Sequence, residues 1–358
     1  MQAQALALRA FYYLQLVNLF GEPYTYNKEA LGVPLKLTSA LSISYDKRKT
    51  VGEVYDQIVR DLDEAEKYFL MLPKEKQFLP NYRITLPAVQ LLKARVNLYM
   101  NNLEEAAKYA KNVIKDWDFA LYDLRSLSYD GVTFPNYVTY DNPETIWAFG
   151  KRNDLLKFTY DLTGDYGVKD HRVLINASDE LVDNYEDEGD LRKQFYLVPE
   201  YGYTPVCYLA VNKCMFLGES IPSDDKFMLA LRLSEAYLIL AEATAKTDPM
   251  IALNAVNELR KKRISEEKYK DKSGLSGDEL LEFVRNERRR ELCFEGHRWF
   301  DLRRYGMPSF TRVWKEGGVP AKWFTMEKED AAYTLPISKE VMDRNPGLIQ
   351  NRLGNPKY

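Results

Sequence analysis

His297 stands two residues after Glu295 and four before Asp301, inside RNERRRELCFEGHRWFDLRRYG (285–306). An imidazole beside carboxylates can pass a proton near neutral pH, so this spacing could do general acid–base work. The same 22 residues hold seven arginines and four carboxylates, and an arginine-rich helix could instead hold phosphate. A third reading is structural. Leu281, Val284, Arg288, Leu292, Glu295, Trp299 and Leu302 follow one another at three or four residues and so share one helix face. Charges on such a stripe are costly unless paired, and partners are at hand. Arg288 lies three residues from Glu291, Glu287 three from Arg290, and His297 four from Asp301. Carboxylates interleaved with the arginines would repel phosphate, and Trp299 on the apolar face could not stack on a base. No second catalytic partner for His297 is indicated. The stretch therefore reads as a self-paired ion network, and no catalytic residue is expected.

Other candidate chemistry is thin. His171 stands alone in KDHRV. The carboxylate groups Asp179/Glu180, Glu186/Asp187/Glu188 and Asp224/Asp225 could serve a glycosidase only if two lay about 5–10 Å apart in a cleft, which spacing does not show. There is no Walker, GxSxG, HExxH or dinucleotide motif. Cys207, Cys214 and Cys293 have no CxxC spacing, so neither a metal site nor a disulfide framework is expected, and no cofactor is implied.

Aromatic residues are more informative. The chain has 26 tyrosines, and many fall beside Gly, Pro and Asn, off any periodic face. They sit in PYTYN (23–27), Tyr160, DYG (165–167) and PEYGYTP (199–205), with Trp314 and Trp323 further on. Exposed rings with amide and carboxyl neighbours suit ligands with flat apolar faces and edge hydroxyls, such as sugars. Each ring alone could equally cover a neighbouring helix; as a set they favour a binding surface.

These residues need a frame. The 358 residues are 46% hydrophobic with a net charge of −3, enough for one large or two ordinary cores and unlike a nucleic-acid binder. No apolar run of about 18 residues offers a membrane-spanning helix. Residues 5–20 read as an amphipathic helix that Gly21 and Pro23 end, and 21–49 as a loop. Thr50-Val-Gly-Glu53 has the form of a capping box, followed by a stripe of Val54, Ile58, Leu62, Ala65 and Phe69. Helices over 88–100 and 106–117 make a tetratricopeptide-like pair with small residues Ala106 and Ala110 at the crossing. A second copy spans 232–263, with Asp248-Pro249 opening its second helix and Ala252, Val256 and Leu259 matching in spacing. Between the copies, 118–227 has short strand-like pieces (ETIWAFG, Tyr196-Leu-Val, CYLAV) and reads as an insertion with its own task. One long helix is expected over 277–305 and irregular chain over 306–358. The N-terminus has no basic region, apolar core or cleavage site of a leader, so the chain is either cytoplasmic or a shortened form of an exported one.

Several blocks resemble the SusD/RagB family of cell-surface nutrient-binding lipoproteins. LRAFYYLQLVNLFGEP (8–23) is similar to that family's first helix and turn, and RLSEAYLILAEA (232–243) to its second repeat unit. RNERRRELCFEGHRWFDLRRYG is similar to its most specific signature, and LPISKEVMDRNPGLIQN (335–351) to its C-terminal close. The resemblance implies a mostly α fold: one SusD-like domain over 1–358, with a helical-pair scaffold at 5–117 and 228–305, a loop-rich insertion at 118–227 as the ligand face, and an irregular segment at 306–358. It implies a non-catalytic binding subunit that hands oligosaccharide, or peptide in some relatives, to a SusC-like TonB-dependent outer-membrane barrel. It further implies a cell-surface position through a lipid anchor on an N-terminal portion that the chain is expected to lack. Ligand contacts carried over by position are Tyr24, Tyr26 and Asn27, then Tyr166, Tyr201 and Tyr203. The alternatives left open are a peptide-binding helical-repeat protein and a glycoside hydrolase.

Overall fold

The structure, a computed structural model, describes residues 1–354 except 41–45, 79–81, 128–140, 151–176, 186–188, 201–206, 210–228 and 317–318. Among the described residues there are thirteen α-helices and six short strands. The first helices are α1 (Gln2–Phe20), α2 (Tyr24–Asn27), α3 (Val51–Leu70), α4 (Lys74–Gln77), α5 (Leu86–Tyr99) and α6 (Leu103–Lys115). The middle of the chain holds β1 (Thr145–Phe149), α7 (Asp179–Asp183), α8 (Leu191–Tyr196), β2 (Val198–Glu200), β3 (Cys207–Leu209) and β4 (Leu229–Arg232). It closes with α9 (Leu233–Thr244), α10 (Pro249–Lys261), α11 (Gly277–Glu291), α12 (Arg298–Arg304), β5 (Phe310–Glu316), β6 (Val319–Met326) and α13 (Lys339–Arg344). No described helix is long and apolar enough to cross a membrane.

Cα packing divides the chain into two compact units. The first is Met1–Met71 with Tyr99–Asn102 and Arg298–Tyr358; the second is Leu72–Leu98 with Leu103–His297.

The first unit is built on α1 against α3. The capping box forms as its spacing predicts: Glu53 N–H donates to Thr50 Oγ1 at 3.1 Å, and Thr50 N–H donates to Glu53 Oε2 at 2.8 Å. Val54, Ile58, Leu62, Ala65 and Phe69 are all buried. They face a strip of α1 rich in small residues (Ala3, Ala7, Ala10) together with Leu14 and Val17, so the two helices can approach closely. A bidentate pair from Arg9 to Asp61 (2.7 and 2.6 Å) joins them across the strip.

The second unit carries the two helical pairs. Asn101, at φ 60°, lets the chain reverse between α5 and α6, and Lys93 of α5 lies 4.3 Å over the Tyr109 ring of α6. Asp248 caps α10 by accepting from Ile251 N–H at 3.1 Å, with Pro249 at the first helical position. Helix α9 packs on α6, α10 and α11, so the pairs stack as a layer. Strands β1 and β4 pair antiparallel, as do β2 and β3.

Two expectations are corrected. The long helix over 277–305 is two helices, because the chain leaves α11 at Leu292 and turns through Phe294 (φ 62°) and Gly296 (φ 80°) before α12 begins. A left-handed residue cannot continue an α-helix. The segment 306–358 is not irregular throughout: it contains the β5–β6 hairpin, a 3₁₀ turn and α13. Its strands are short and carry exposed apolar residues, which blurs the two-residue alternation that would mark them.

Candidate functional site

The tyrosine segment after α1 is held by backbone needs of its neighbours. A helix leaves its last carbonyls without partners, and those of α1 are met from elsewhere in the first unit. Leu19 O accepts from Leu335 N–H at 2.9 Å. Phe20 O accepts from Arg48 Nη2 at 2.8 Å and from Asn351 Nδ2 at 2.9 Å, and Gly21 O from Arg303. Gly21 is required sterically: a Cβ there would lie 2.9 Å from both Val17 O and Val51 Cγ2. The opposite problem, the free N–H groups at the start of α3, is solved by the same loop. Val51 and Gly52 donate to Ala30 O and Lys28 O, each at 2.8 Å.

Arg48 and Arg303 are the fasteners. Buried Arg48 donates to four carbonyls: Gly32 and Leu31 at 2.7 Å, Phe20 at 2.8 Å and Ile349 at 2.9 Å. Burial lowers its pKa below the ordinary arginine value. Buried Arg303 donates to Tyr333 O and Gly21 O, and burial brings its pKa down to about 10. Arg303 belongs to the 285–306 stretch, so part of that motif works as a clamp on the tyrosine segment.

On this platform Pro23 opens one helical turn, α2, rather than the loop expected; Pro23 O accepts from Tyr26 N–H and Asn27 N–H at 2.9 and 3.0 Å. A single turn carries too few residues for helical periodicity to register. Tyr24 is half-buried, tilted against Tyr55 with centroids 4.9 Å apart. Asn27 is exposed. Tyr26 is 53% exposed, and its phenol donates to Glu329 Oε2 at 3.3 Å. The negative charge of Glu329 raises the phenol pKa, with desolvation adding to it. Tyr166, Tyr201 and Tyr203 lie outside the described residues, as do Tyr160 and His171.

Trp314 and Trp323 lie on strands, not in loops as expected. The hairpin pairs Val313 with Trp323, Trp314 with Lys322 and Arg312 with Phe324, and directly opposed residues share a face. One face presents Trp314 (54% exposed) and Phe324 beside Arg312 and Lys322; the other presents Trp323 (67%) and Val313. At the hairpin's base Phe310 and Met326 pack on the Leu302, Met307 and Tyr333 cluster, and Trp299 stacks on Tyr333 at 5.1 Å.

The acid–base reading of His297 and Glu295 fails on geometry. Glu295 is bound by Arg232 at 2.6 and 2.9 Å. His297 Nδ1 instead faces Arg288 Nη2 at 3.2 Å, and both are buried. Glu295 belongs to a larger buried set in the second unit, wider than the local pairs expected from spacing. Arg192 meets Asp190 (2.7 Å), Glu287 (2.6 Å) and Glu291 (3.5 Å). Arg232 meets Glu144 (3.0 Å) and Glu291 (3.1 Å), and Arg263 meets Glu144 (2.5 Å) and Glu291 (2.9 Å). Arg290 reaches Glu287 at 2.7 Å, as the spacing predicts, and Arg260 lies 3.7 Å from it. Five guanidiniums thus face five carboxylates, joining α11 to the insertion through Glu144, Asp190 and Arg192. Sequence separation hides this set, because most partners are tens of residues apart.

The network gives acid sensitivity a definite sign. Burial alone would raise the Glu287 carboxyl, but Arg192, Arg290 and Arg260 outweigh burial and hold it down from 4.5 to about 2. A lowered folded pKa stabilises the fold above the unfolded value and loses that contribution as pH falls through the folded one. Stability should therefore be level above about pH 4.5 and fall by about 3 kcal/mol from this group between pH 4.5 and 2. Chemical denaturation at stepped pH checks this; a flat profile across that window would contradict it.

Two family profiles match the sequence. One, described as "SusD family", covers residues 223–358; the other, described as "Starch-binding associating with outer membrane", covers residues 1–98. Both ends of the chain thus match SusD-family models. Among curated relatives, SusD-like protein P38 of Formosa agariphila is 26% identical over 348 residues, 84% of this chain and 65% of the relative. SusD-like protein P2 of the same organism is 27% identical over 405 residues, 99% of this chain and 74% of the relative. The chain thus spans less than two thirds of the first relative's length and about three quarters of the second's. Solved SusD-superfamily structures share its mostly helical fold. One from Bacteroides thetaiotaomicron superposes with a TM-score of 0.74 at 25% identity, covering 98% of this chain and 77% of that one. A Bacteroides vulgatus protein described as sugar binding superposes at 0.75 and 27% identity, covering 98% and 76%. The 285–306 signature therefore reads as frame: its described charges meet one another, carbonyls and charged side chains elsewhere in the chain, Arg192, Arg232 and Arg263 among them.

Proposed function

We propose that this SusD-like chain is a non-catalytic oligosaccharide-binding subunit that passes its ligand to a SusC-like TonB-dependent barrel at the outer-membrane surface, where a lipid anchor holds it. The observation that carries the binding reading is Tyr26, an exposed ring on a turn fixed by two buried arginines. A ring held in place loses little entropy on binding and offers a flat face to a sugar. Tyr24 and Asn27 flank it, the first as a packed support and the second as an exposed amide for edge hydroxyls. Tyr166, Tyr201 and Tyr203 are proposed as further ligand residues on the family resemblance alone. The names of relatives support the ligand class: one structural neighbour is described as sugar binding, and one matching profile as starch-binding.

One stacked ring contributes about 1–3 kcal/mol, so two or three give Kd values from roughly micromolar to millimolar. Tyr26→Ala should weaken binding on a glycan array by about tenfold with an unchanged melting temperature. Unchanged binding would remove Tyr26 from the site. Incubation with the bound glycans should release no new reducing ends; their release would convert the reading to a hydrolase. Capture of peptides but no glycan on a parallel peptide array would favour the peptide-binding alternative.

A further inference from the structure

Glu329 lies 303 residues after Tyr26, yet its carboxylate accepts the Tyr26 phenol proton at 3.3 Å. Its backbone is unusual. With φ 58° it is left-handed, and its N–H donates at 2.9 Å to the carbonyl of Met307, which is left-handed too at φ 51°. Such a conformation costs an L-residue about 1–2 kcal/mol, and glycine would adopt it freely. The strain serves no core contact of the side chain. The Glu329 side chain is 42% exposed, and the only ion pair it makes among those described is a 3.6 Å approach to Lys328, itself 71% exposed. What glutamate adds over glycine here is a carboxylate fixed beside an exposed ring. Strained residues held by a rigid surround mark places where a side chain is being aimed. The following residue is fixed as well: Asp330 accepts from Ala332 N–H at 2.8 Å, and a Cβ at Gly354 would lie 2.7 Å from both Asp330 Oδ1 and Ala332 Cβ. Tyr26 also feels the charges of Glu22 and Arg352.

We propose that Glu329 contacts the ligand, its carboxylate accepting hydrogen bonds from hydroxyls of a sugar ring stacked on Tyr26, and so selects neutral over acidic glycans. This rests on the reading of Tyr26 as a stacking platform. A carboxylate at neutral pH only accepts, so it matches hydroxyl donors on a sugar edge. The carboxylate of a uronic acid brought to the same edge would be repelled and would bring no donor.

The test is a glycan array carrying neutral gluco- and manno-oligosaccharides and oligogalacturonates, probed with the full chain and the variants Glu329→Gln, Glu329→Gly and Tyr26→Ala. Glu329→Gln should weaken neutral-glycan binding about tenfold, the size of one charge-assisted hydrogen bond, and narrow the gap to oligogalacturonate. Glu329→Gly relieves the backbone strain, so its melting temperature should hold or rise while neutral-glycan binding falls by the same factor. Loss of binding with a lowered melting temperature in Glu329→Gly would mark a structural role and overturn the proposal. Full binding by both Glu329 variants, with loss in Tyr26→Ala, would overturn the role of Glu329 alone. Full binding by Tyr26→Ala, or no glycan bound by the parent chain, would sink the platform reading and the proposal with it. A parent chain that prefers oligogalacturonate would overturn the selectivity.

Discussion

Glu291→Ala should destabilise the protein by about 3–5 kcal/mol, the size measured when one partner is removed from a buried charge set. Glu291 is fully buried, and its two oxygens serve Arg192, Arg232 and Arg263, with the Tyr196 hydroxyl at 3.4 Å. Truncation leaves three guanidiniums that water cannot reach and that do not deprotonate at ordinary pH. The remaining carboxylates Glu144, Glu287 and Asp190 are already engaged. Glu291→Gln keeps the shape but not the charge, and should fall between the parent and the alanine variant. Urea denaturation followed by tryptophan fluorescence measures both. Because the set joins α11 to the insertion, amide exchange in α8 and β1 should rise together with the global loss. A loss under about 1 kcal/mol for Glu291→Ala would show the charges to be solvated and the network to be no lock.

Arg48→Met should loosen the tyrosine turn without touching a ligand. Methionine keeps the apolar stem, but four carbonyls lose their donor, and an unmet buried polar group costs about 1–3 kcal/mol. Three of the four are only part-buried, so water recovers some of that; a net loss of about 2–4 kcal/mol is expected. The functional loss should be larger than the bulk stability loss implies, because residues 20–32 carry α2. Amide exchange at Val51 and Gly52, which donate to that loop, should quicken, and glycan affinity should drop at least as far as in Tyr26→Ala. Arg48→Lys should rescue only part of it, since a point ammonium cannot span four carbonyls as a planar fork does. Unchanged exchange and unchanged affinity in Arg48→Met would show that the turn holds itself.

Glu291 and Arg48 show where reading the sequence reaches its limit. Local features were legible because their partners are local. The capping box at Thr50 and Glu53, the stripe on α3, the Asp248-Pro249 helix start and the Glu287–Arg290 pair all lie within one or two turns. Of the 285–306 stretch the Glu287–Arg290 pair was legible, but the main partners Arg192, Arg232, Arg263 and Glu144 were not, since nothing in spacing predicts a contact across tens of residues. Arg48 gave no signal at all. It sits in KRK, where a basic run ordinarily faces water, but it is buried because the end of α1, the loop at Leu31 and Gly32 and the C-terminal segment at Ile349 leave carbonyls to be met there.

The amino-acid order by itself determined the longer helices of the frame and the caps at Thr50 and Asp248, because each depends on residues a few positions apart. Tertiary structure alone decided which tyrosine stands free and what stands beside it. Tyr24 and Tyr26 are two residues apart, yet one leans on Tyr55 and the other meets Glu329. That difference comes from a helix end and a C-terminal turn brought together by buried backbone groups that had to find partners.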